Sequence, residues 1–427
     1  IMSKHTQVYD DDKNLLREYY GTFTGEDGSS SLLVTGTNGD YPAGTYVWDE
    51  DNGEWVTAVA MVTDAEGNSV SYMSLETAIE NAGVGSTVKL LQDFTGTIII
   101  DADKDIIIDL NGHTLRDSDV PIKEGTDESF RNHTITNHGT LTIMDSAGNG
   151  TVDNLSHGRA AVYNFGTFTL LSGKLTRSAE SSTGPTENGG NSWYVLYNAG
   201  MLNISGGTVT MKGNYSSLII NQSQNNSEPV MNMTGGELSQ EGFITVRVHY
   251  GATANISGGT ISSGNQSIQN YGDVNITGGD ITGRLTTIVE LDDEVESHPN
   301  TTISGGSIDG DIIAWYFYEG ETKPTSSDTV KVEVKGGEIS GELKGALGFT
   351  VSGETTKPSD SGINVSGGAF DQNIDTGFLA EGYEMKQNGD HWSPSVSEKD
   401  GVANIGEIYY PSVESALDAA RNGETII

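Results

Sequence analysis

The feature that most constrains the fold of this chain is a phrase that recurs along most of its length. In each copy, a run of alternating apolar residues leads to a small polar residue, two glycines and a second alternating run. Successive first glycines lie 20 to 33 residues apart. A repeat of this length is typical of solenoid proteins, in which each unit packs only against its neighbours. The glycine pairs begin at Gly206, Gly235, Gly258, Gly278, Gly305, Gly336 and Gly367, and Gly173 belongs to a degenerate copy before them.

A second landmark of each unit is a short strand-like run that ends in Asn-x-Gly. Apolar residues alternate nearby, as in Leu202 and Ile204, with the period of a half-buried β-strand. Glycine suits such corners because it adopts positive φ without a steric clash, whereas each interior glycine costs a helix about 1 kcal/mol. A recurring asparagine also predicts a ladder in which each amide bonds the next. The asparagines are Asn137, Asn164, Asn198 and Asn270, with Asn221 as a candidate that lacks the glycine.

Three short strands per repeat predict an all-β chain folded as a parallel β-helix of about ten or eleven coils, from about residue 88 to residue 370. Solenoids need caps, because exposed strand edges pair with other chains. A helix near 74–83 fits this role at the N-terminal end. Ser74 is a good N-cap residue, and Leu75 and Ile79 lie on one apolar face of the predicted helix.

The C-terminal part of the chain repeats the sequence that precedes the first strands. Trp55 and Trp392 lie 337 residues apart in matching phrases, and Ser74-Leu75-Glu76 matches Ser412-Val413-Glu414 at an offset of 338. The match predicts a tandem array, with further copies of the module as partners in the same polypeptide. The predicted parts are a small β-rich inter-module unit with an N-terminal tail (1–70), the β-helix with its capping helix (71–378), a second inter-module unit (379–409) and the truncated start of a next β-helix (410–427).

The charge and composition of the chain exclude several classes of function. Asp and Glu number 60 against 22 Lys and Arg, a formal net charge of -38, and an acidic surface repels nucleic acids and anionic lipids. Cysteine is absent, which excludes disulfides and thiolate metal sites. No apolar run approaches the roughly 20 residues of a membrane span, and residues 1–10 lack the apolar core of a signal peptide. We therefore expect an extracellular location, secreted or at a cell surface, with no nucleic-acid partner and no membrane insertion.

Several phrases resemble the pectate-lyase-like β-helix superfamily. They are Asp109-Leu110-Asn111-Gly112-His113, a Ser-Leu-Glu-Thr-Ala-Ile helix that leads into Gly-Ser-Thr-Val-Lys-Leu, and the serial Ile-Ser-Gly-Gly-Thr units. The ending around Gly367-Gly368-Ala369-Phe370 is similar to modular adhesin-like surface proteins of Gram-positive gut bacteria. The resemblance covers roughly residues 40–427 and implies a right-handed helix. It leaves the function open, because the superfamily includes lyases, hydrolases, tailspikes and inert stalks.

Enzymes of that superfamily cut acidic polysaccharides with clustered carboxylates, or with Ca²⁺ and a basic group. Asp101, Asp103 and Asp105 share one strand face. Paired catalytic carboxylates lie roughly 5–10 Å apart, which requires matched positions on neighbouring coils, so solvating charge explains this group better. The acidic loop 290–296 offers oxygen ligands for Ca²⁺ but lacks the Asp-x-Asp-x-Asp-Gly order. We predict no cofactor, with calcium as the alternative at this loop.

The histidines and the aromatic residues are the remaining candidates for a site. Histidines recur at about the spacing of one coil, and turn or surface positions explain them better than a metal site. Exposed rings on a flat sheet stack on sugars or anchor a protein partner, whereas packing beneath insertion loops is the structural alternative. The predicted ligand-binding residues are Trp315, Tyr316, Tyr318, Trp193 and Tyr194, and the recurring histidines are His113, His133, His138, His157 and His249. We predict no catalytic residue and no metal ligand.

These patterns favour one function and leave two alternatives. The favoured function is a non-catalytic extracellular β-helix module of a large bacterial surface or secreted protein, a rigid stalk or adhesin that binds host glycans or glycoproteins. The first alternative is a polysaccharide lyase or glycoside hydrolase acting in a groove on the β-helix, which requires carboxylates from neighbouring coils to converge. The second alternative is a phage tailspike-like fibre.

Overall fold

The structure is a computed structural model that describes most of the chain from residue 44 onward. The described residues are 44–49, 51–117, 133–156, 158–179, 193–211, 216–291, 298–318, 331–347, 361–421 and 423–427, together with the strands at 2–9, 15–23, 30–34, 350–351 and 354–355. For those five strands, and for 290–291, 316–318 and 346–347, the description covers the backbone and its pairing but not the side chains.

The chain is all-β, with one long sheet built from parallel strands. Each repeat contributes three strand segments, and each segment pairs in parallel with the equivalent segment of the next repeat. Three series of segments result, which we call series A, B and C in the order in which the chain visits them. The predicted fold class is confirmed at this level, as an all-β chain with a long parallel sheet.

Each series is defined by its strands. Series A contains Ser86–Leu90, Asp105–Asp109, Thr140–Met144, Thr167–Leu170 and Met201–Ile204. Series B contains Phe94–Thr95, Thr114–Arg116, Thr151–Asp153, Lys174–Thr176 and Thr208–Met211. Longer strands then run through A and B together, namely Val230–Gln240, Thr253–Asn270, Asp273–Leu291, Asn300–Asp309, Lys331–Ser340 and Ile363–Phe370. Series C contains Ile98–Ile100, Ile135–Asn137, Val162–Asn164, Leu196–Asn198, Ile219–Asn221, Ile244–Val248, the last parts of Thr253–Asn270 and Asp273–Leu291, Ile312–Tyr318 and Leu343–Leu347.

The pairing register places apolar side chains above one another. In series A, Ile108 aligns with Ile143, which aligns with Leu170 and then Ile204. Each of these side chains is at most 1% exposed, and burial of one such side chain contributes roughly 1.5–3 kcal/mol. One continuous apolar cluster extends in this way from Ala60 to Ile374. It gives the repeats a shared core that no single repeat could form alone.

The two glycines at each corner between series A and B have different roles. A Cβ atom on Gly235 would lie 2.5 Å from the carbonyl oxygen of Ser205 in the preceding repeat, so any side chain there would push the repeats apart. Gly236 adopts a φ of +83°, which L-residues with a side chain rarely adopt. The first glycine therefore permits close stacking and the second permits the corner.

The first strand of series A is covered by elements from the N-terminal side. The predicted helix is confirmed as Leu75–Asn81, and Ser74 Oγ accepts a hydrogen bond from the Thr77 amide at 3.3 Å. Leu75, Ala78 and Ile79 are buried in the main core. The strand Ala60–Thr63 pairs antiparallel with Ser69–Tyr72 and with Ser86–Leu90. A separate antiparallel sheet contains Met2–Tyr9, Leu15–Phe23, Ser30–Val34, Gly44–Asp49 and Glu54–Thr57.

A second helix at the C-terminal side matches the first in sequence but not in burial. It spans Val413–Ala419, with Ser412 as the N-cap. Val413 and Leu417, at the positions of Leu75 and Ile79, are 52% and 61% exposed. The division into modules stays a prediction. The remaining elements are a 3-10 helix at Thr376–Phe378 and the strands Thr350–Val351, Glu354–Thr355, Glu384–Asn388, His391–Ser395, Ala403–Ile405 and Ile408–Tyr410.

Candidate functional site: the outer face of series C

The strands of series C are poor in Asp and Glu. The chain has 60 Asp and Glu residues, and the outer positions of series A and B include Glu333 and Glu338. Glu290, near the end of the strand Asp273–Leu291, is an exception, and the other segments of the series C strands have neither residue type. They are 133–139, 158–166, 193–200, 217–222, 243–251, 265–272, 284–289 and 312–318. Such a gap in the charge of an acidic chain marks this face as chemically distinct.

One column of side chains runs along the middle of this face. The pairing register aligns Tyr163 with Tyr197, and Arg247 with Gln269. Neighbouring strands lie about 4.8 Å apart, so rings, amides and a guanidinium group follow one another at that spacing. The column is Ile99, Thr136, Tyr163, Tyr197, Ile220, Arg247, Gln269, Thr286, Ile313 and Lys344.

The predicted asparagine ladder runs through the same strands. Asn137 Nδ2 donates to Asn164 Oδ1, Asn164 donates to Asn198, and Asn198 donates to Asn221, each at 2.7 Å. All four amides are fully buried, and Asn221 is confirmed as a member despite its missing glycine. At the next level the position belongs to Val248. Asn221 Nδ2 donates instead to the Thr253 carbonyl at 2.8 Å, so the ladder ends there. The prediction that Asn270 belongs to the ladder is wrong, because its Nδ2 donates to the Asn300 carbonyl and to the Thr301 hydroxyl, each at 2.9 Å.

Aromatic rings pack against one another on and beside the same strands that carry the continuous part of the ladder. We call His133, Tyr163, Phe165, Tyr194 and Tyr197 the Tyr163 stack. The Tyr163 ring centroid lies 4.2 Å from that of His133, 4.9 Å from that of Phe165 and 4.5 Å from that of Tyr197. Burial raises the pKa of Tyr197 to about 12. Burial, together with nearby Arg159 and Arg177, lowers the pKa of His133 to about 3. Both groups are therefore uncharged at neutral pH.

An insertion at 222–229 folds back over the Tyr163 stack. Gln224 Nε2 donates to the hydroxyl oxygens of Tyr163 at 2.5 Å and Tyr197 at 3.1 Å. Tyr197 is 5% exposed as a result. Two predicted ligand contacts lie beside it: the rings of Trp193 and Tyr194 are 5.0 Å apart and both are half-buried. Packing beneath an insertion thus describes this part of the face, and the ligand role of Trp193 and Tyr194 stays a prediction.

Further along series C, a second group of rings is only half-buried. We call Arg247, His249, Tyr250, Gln269 and Tyr271 the Arg247 cluster. The His249 ring centroid lies 4.6 Å from that of Tyr250 and 5.6 Å from that of Tyr271. The Arg247 guanidinium carbon lies 6.0 Å from the Tyr271 centroid, and Arg247 Nε donates to Gln269 Oε1 at 2.7 Å. Burial and the charge of Arg247 lower the pKa of His249 to about 4, so Arg247 carries the only charge of this cluster at neutral pH.

The remaining predicted ligand contacts also belong to series C. Trp315 is half-buried in the strand Ile312–Tyr318. Tyr316 and Tyr318 lie in the same strand, but their side chains are outside the described part. All five predicted contacts thus fall on or beside series C, although several repeats separate Trp193 from Trp315. The sequence interpretation missed the Arg247 cluster. The scarcity of Asp and Glu in the strands that lead into the successive Asn-x-Gly turns is the signal that would have revealed it.

The predicted acidic and histidine groups lie at the surface or in other contacts. Asp101, Asp103 and Asp105 are exposed, as expected for solvating charge, and most of the acidic loop 290–296 lies outside the described residues. His138 does not stack on another histidine but on Phe165, with 4.9 Å between centroids and 4° between planes. The other members of the series are His113, 3.4 Å from Asp93, and His157, which lies outside the described residues.

Comparisons with protein-family models, curated proteins and solved structures gave no match. Within the described ranges, no group of three or more His, Cys, Asp or Glu side chains is placed to hold a metal ion. Over the same ranges, no helix has the length and apolar character needed to cross a membrane.

Proposed function

We propose that this chain is a rigid, non-catalytic extracellular module of a bacterial surface or secreted protein, which binds host glycans or glycoproteins through the outer face of series C. The observation that carries the proposal is the chemistry of that face. Apart from Glu290, its strands contain no Asp or Glu in a chain of net charge -38, and it presents half-buried rings and the half-buried guanidinium group of Arg247. Aromatic faces and polar donors of this kind are the groups that hold sugar rings.

In this proposal the parallel sheet is a right-handed β-helix of the pectate-lyase-like superfamily, with ten full coils and part of an eleventh. Parallel pairing between equivalent segments of successive repeats supports this winding, as do the close-packed glycine corners. At about 4.8 Å per level the stack would be roughly 50 Å long. Each strand would be held by neighbours on both sides, which would keep the binding face rigid.

The same proposal places further copies of the module in the same polypeptide. The helix Val413–Ala419 repeats the helix Leu75–Asn81, including a serine N-cap whose hydroxyl oxygen accepts an amide hydrogen bond. The first helix covers the start of a parallel sheet with Leu75 and Ile79. A further copy of that sheet would cover Val413 and Leu417, which are exposed here.

A glycan and glycoprotein array tests the proposed function. We expect the full chain to bind a subset of immobilised glycans, and we expect Tyr271→Ala to reduce that signal at least tenfold. Tyr383→Ala, a half-buried tyrosine outside series C, is the control and should bind like the parent. The proposal fails if the parent binds nothing above background, or if acidic polysaccharides mixed with the chain are cleaved, since cleavage indicates the lyase or hydrolase alternative.

A further inference from the structure

The Arg247 guanidinium group donates its hydrogen bond to a neutral side chain in a chain that is rich in carboxylates. Its Nε donates to the neutral amide oxygen of Gln269 at 2.7 Å, and within the described part of the chain Arg247 forms no ion pair. Arg284 Nη2 likewise donates to a neutral amide oxygen, that of Asn265, at 2.9 Å, whereas two other described cations lie beside carboxylates. Lys344 Nζ lies 2.5 Å from a carboxylate oxygen of Asp311, and Arg421 Nε lies 2.9 Å from one of Glu338. A half-buried positive charge is therefore held at the surface without a carboxylate partner among the residues that the structure describes.

The surroundings of Arg247 fix its position without neutralising it. Gln269 is 7% exposed, so the amide that receives Nε–H is held by packing. Tyr271 lies under the guanidinium group at 6.0 Å, a distance at which a cation is attracted to a ring face. His249 is uncharged at neutral pH, because burial and Arg247 lower its pKa to about 4. The cluster thus combines one fixed cation with the rings of Tyr250 and Tyr271.

From this arrangement we propose that the Arg247 cluster binds a sugar that carries a carboxylate or a sulfate group. Guanidinium groups pair with planar oxyanions through two parallel hydrogen bonds, and tyrosine rings pack on the apolar face of a sugar. This inference rests on the proposed glycan binding and names the chemical class of the ligand. The acid-free segments 243–251 and 265–272 remove the local repulsion that an anion would meet elsewhere on the chain.

The charge of the whole chain restricts the size of this ligand. Charges beyond about 8 Å are largely screened at physiological ionic strength, so a single anionic group at Arg247 is affected mainly by its immediate neighbours. A long polyanion would extend from the segments 243–251 and 265–272 onto series A and B, where carboxylates such as Glu333 and Glu338 lie outward. The cluster therefore suits one acidic sugar at the end of a short glycan better than an acidic polysaccharide.

Matched short glycans test this inference with the full chain. Lactose and N-acetyllactosamine are compared with their 3′-sialylated and 3′-sulfated forms, which add a carboxylate or a sulfate to the same parent, by titration calorimetry. We expect at least one acidic form to bind at least tenfold more tightly than its neutral parent. We expect Arg247→Gln to remove that preference and Arg247→Lys to retain part of it, because lysine keeps the charge but not the paired donors. Arg116→Gln, an exposed arginine on series B, should behave like the parent chain.

Two negative outcomes have different meanings. Equal binding of the neutral and acidic forms would overturn the role of Arg247 and leave the proposed glycan binding in place. Absence of binding to every glycan of the set, and to every glycan of the array, would overturn both. If Arg247→Gln does not fold, the parent chain still decides between these outcomes, because the acidic preference is measured on it directly.

Discussion

The two halves of the series C face have the same strand positions but different surroundings. In the Tyr163 stack, an insertion closes over the rings, and Gln224 bonds two tyrosine hydroxyls. In the Arg247 cluster, the column continues with a cation and a half-buried ring group. The asparagine ladder is continuous along the first half and ends where Val248 replaces asparagine. Identical backbone geometry thus supports a packed surface at one end and an accessible one at the other.

The difference shows how a repetitive sheet separates stability from binding. Inward residues are restricted by the levels above and below, whereas outward residues are free to vary. An insertion that folds over the outward column converts it into a second small core, the cluster of Tyr197, Ala199 and Ile220 with its flanking rings. Where no such cover is described, as at Arg247, the same column presents the half-buried guanidinium group to the solvent, while Gln269 and Thr286 stay buried.

The largest difference is expected when the ladder along the covered half is broken. Asn164→Ala removes the bonds from its amide to Asn198 and to the Gly166 and Met201 carbonyls, and it takes from Asn137 Nδ2 one of three acceptors. Each buried polar group left unpaired costs about 1–3 kcal/mol, so we expect a loss of about 4 kcal/mol in the free energy of unfolding. Chemical denaturation measures it. Asn255→Ala, in a half-exposed ladder of series A, should cost about 1 kcal/mol, and equal losses would contradict the distinction.

The next prediction compares Tyr197 in the Tyr163 stack with Tyr271 in the Arg247 cluster. Tyr197→Ala opens the packed cluster and should cost about 3 kcal/mol, with glycan binding unchanged. Tyr271→Ala should cost about 1 kcal/mol, because its ring is half-buried, while it reduces binding at least tenfold. Denaturation and array binding are measured on both variants. The distinction between the two halves is wrong if Tyr197→Ala abolishes binding in a folded protein while Tyr271→Ala leaves it intact.

Acid should destabilise both halves through their histidines. Burial holds the pKa of His133 near 3 and that of His249 near 4, against about 6.5 in an unfolded chain. Between these pH values the unfolded state binds more protons than the folded state. The free energy of unfolding is therefore highest above pH 6.5 and decreases as the pH falls toward 3 or 4.

Melting temperatures between pH 6.5 and pH 5 measure this dependence. His133→Asn keeps an acceptor for the Ala160 amide, which bonds the Nδ1 of His133 at 2.9 Å, and should flatten the curve more than His249→Asn. Parallel curves for the parent and both variants would show that other groups cause the acid sensitivity.

The smallest effect on stability is expected for the insertion at 222–229, which folds over the Tyr163 stack. Gln224→Ala removes the two hydrogen bonds to Tyr163 and Tyr197 and should cost about 1 kcal/mol. Hydrogen exchange should accelerate within 222–229, while exchange at the Arg247 cluster stays as in the parent. Faster exchange at both places would mean that the two halves form one unit.

The repeat phrase was enough to predict the strands, the corners and the ladder from Asn137 to Asn221, although it also included Asn270, which does not bond another asparagine. The reason is physical: Gly235 faces a backbone oxygen of the preceding repeat at a distance that excludes a side chain, and Asn221 bonds an identical amide. Such positions are restricted by a copy of themselves, so their pattern appears in the sequence. The Ser74 cap is equally local, because its partner lies three residues away.

The path of the insertion at 222–229 over the Tyr163 stack could not be predicted in the same way. Gln224 reaches Tyr163 across 61 residues of sequence, and no spacing rule states which repeats an insertion will fold over. The predicted ligand contacts therefore include Tyr194, which belongs to the Tyr163 stack, and Trp193 beside it, whereas the proposed site includes Tyr271, which the sequence interpretation did not name. Which outward residues stay accessible depends on the path of the insertions in three dimensions.

The central claim is that equivalent residues of successive repeats stand one level apart, and distances between spin labels test it most directly. The chain has no cysteine, so Thr142→Cys combined in turn with Asn255→Cys, Thr302→Cys and Glu333→Cys gives three doubly labelled proteins. These positions lie four, six and seven levels from Thr142 in one outward column of series A. At about 4.8 Å per level, the expected distances are roughly 19, 29 and 34 Å. Distances that do not increase with the number of levels would contradict the stacked arrangement.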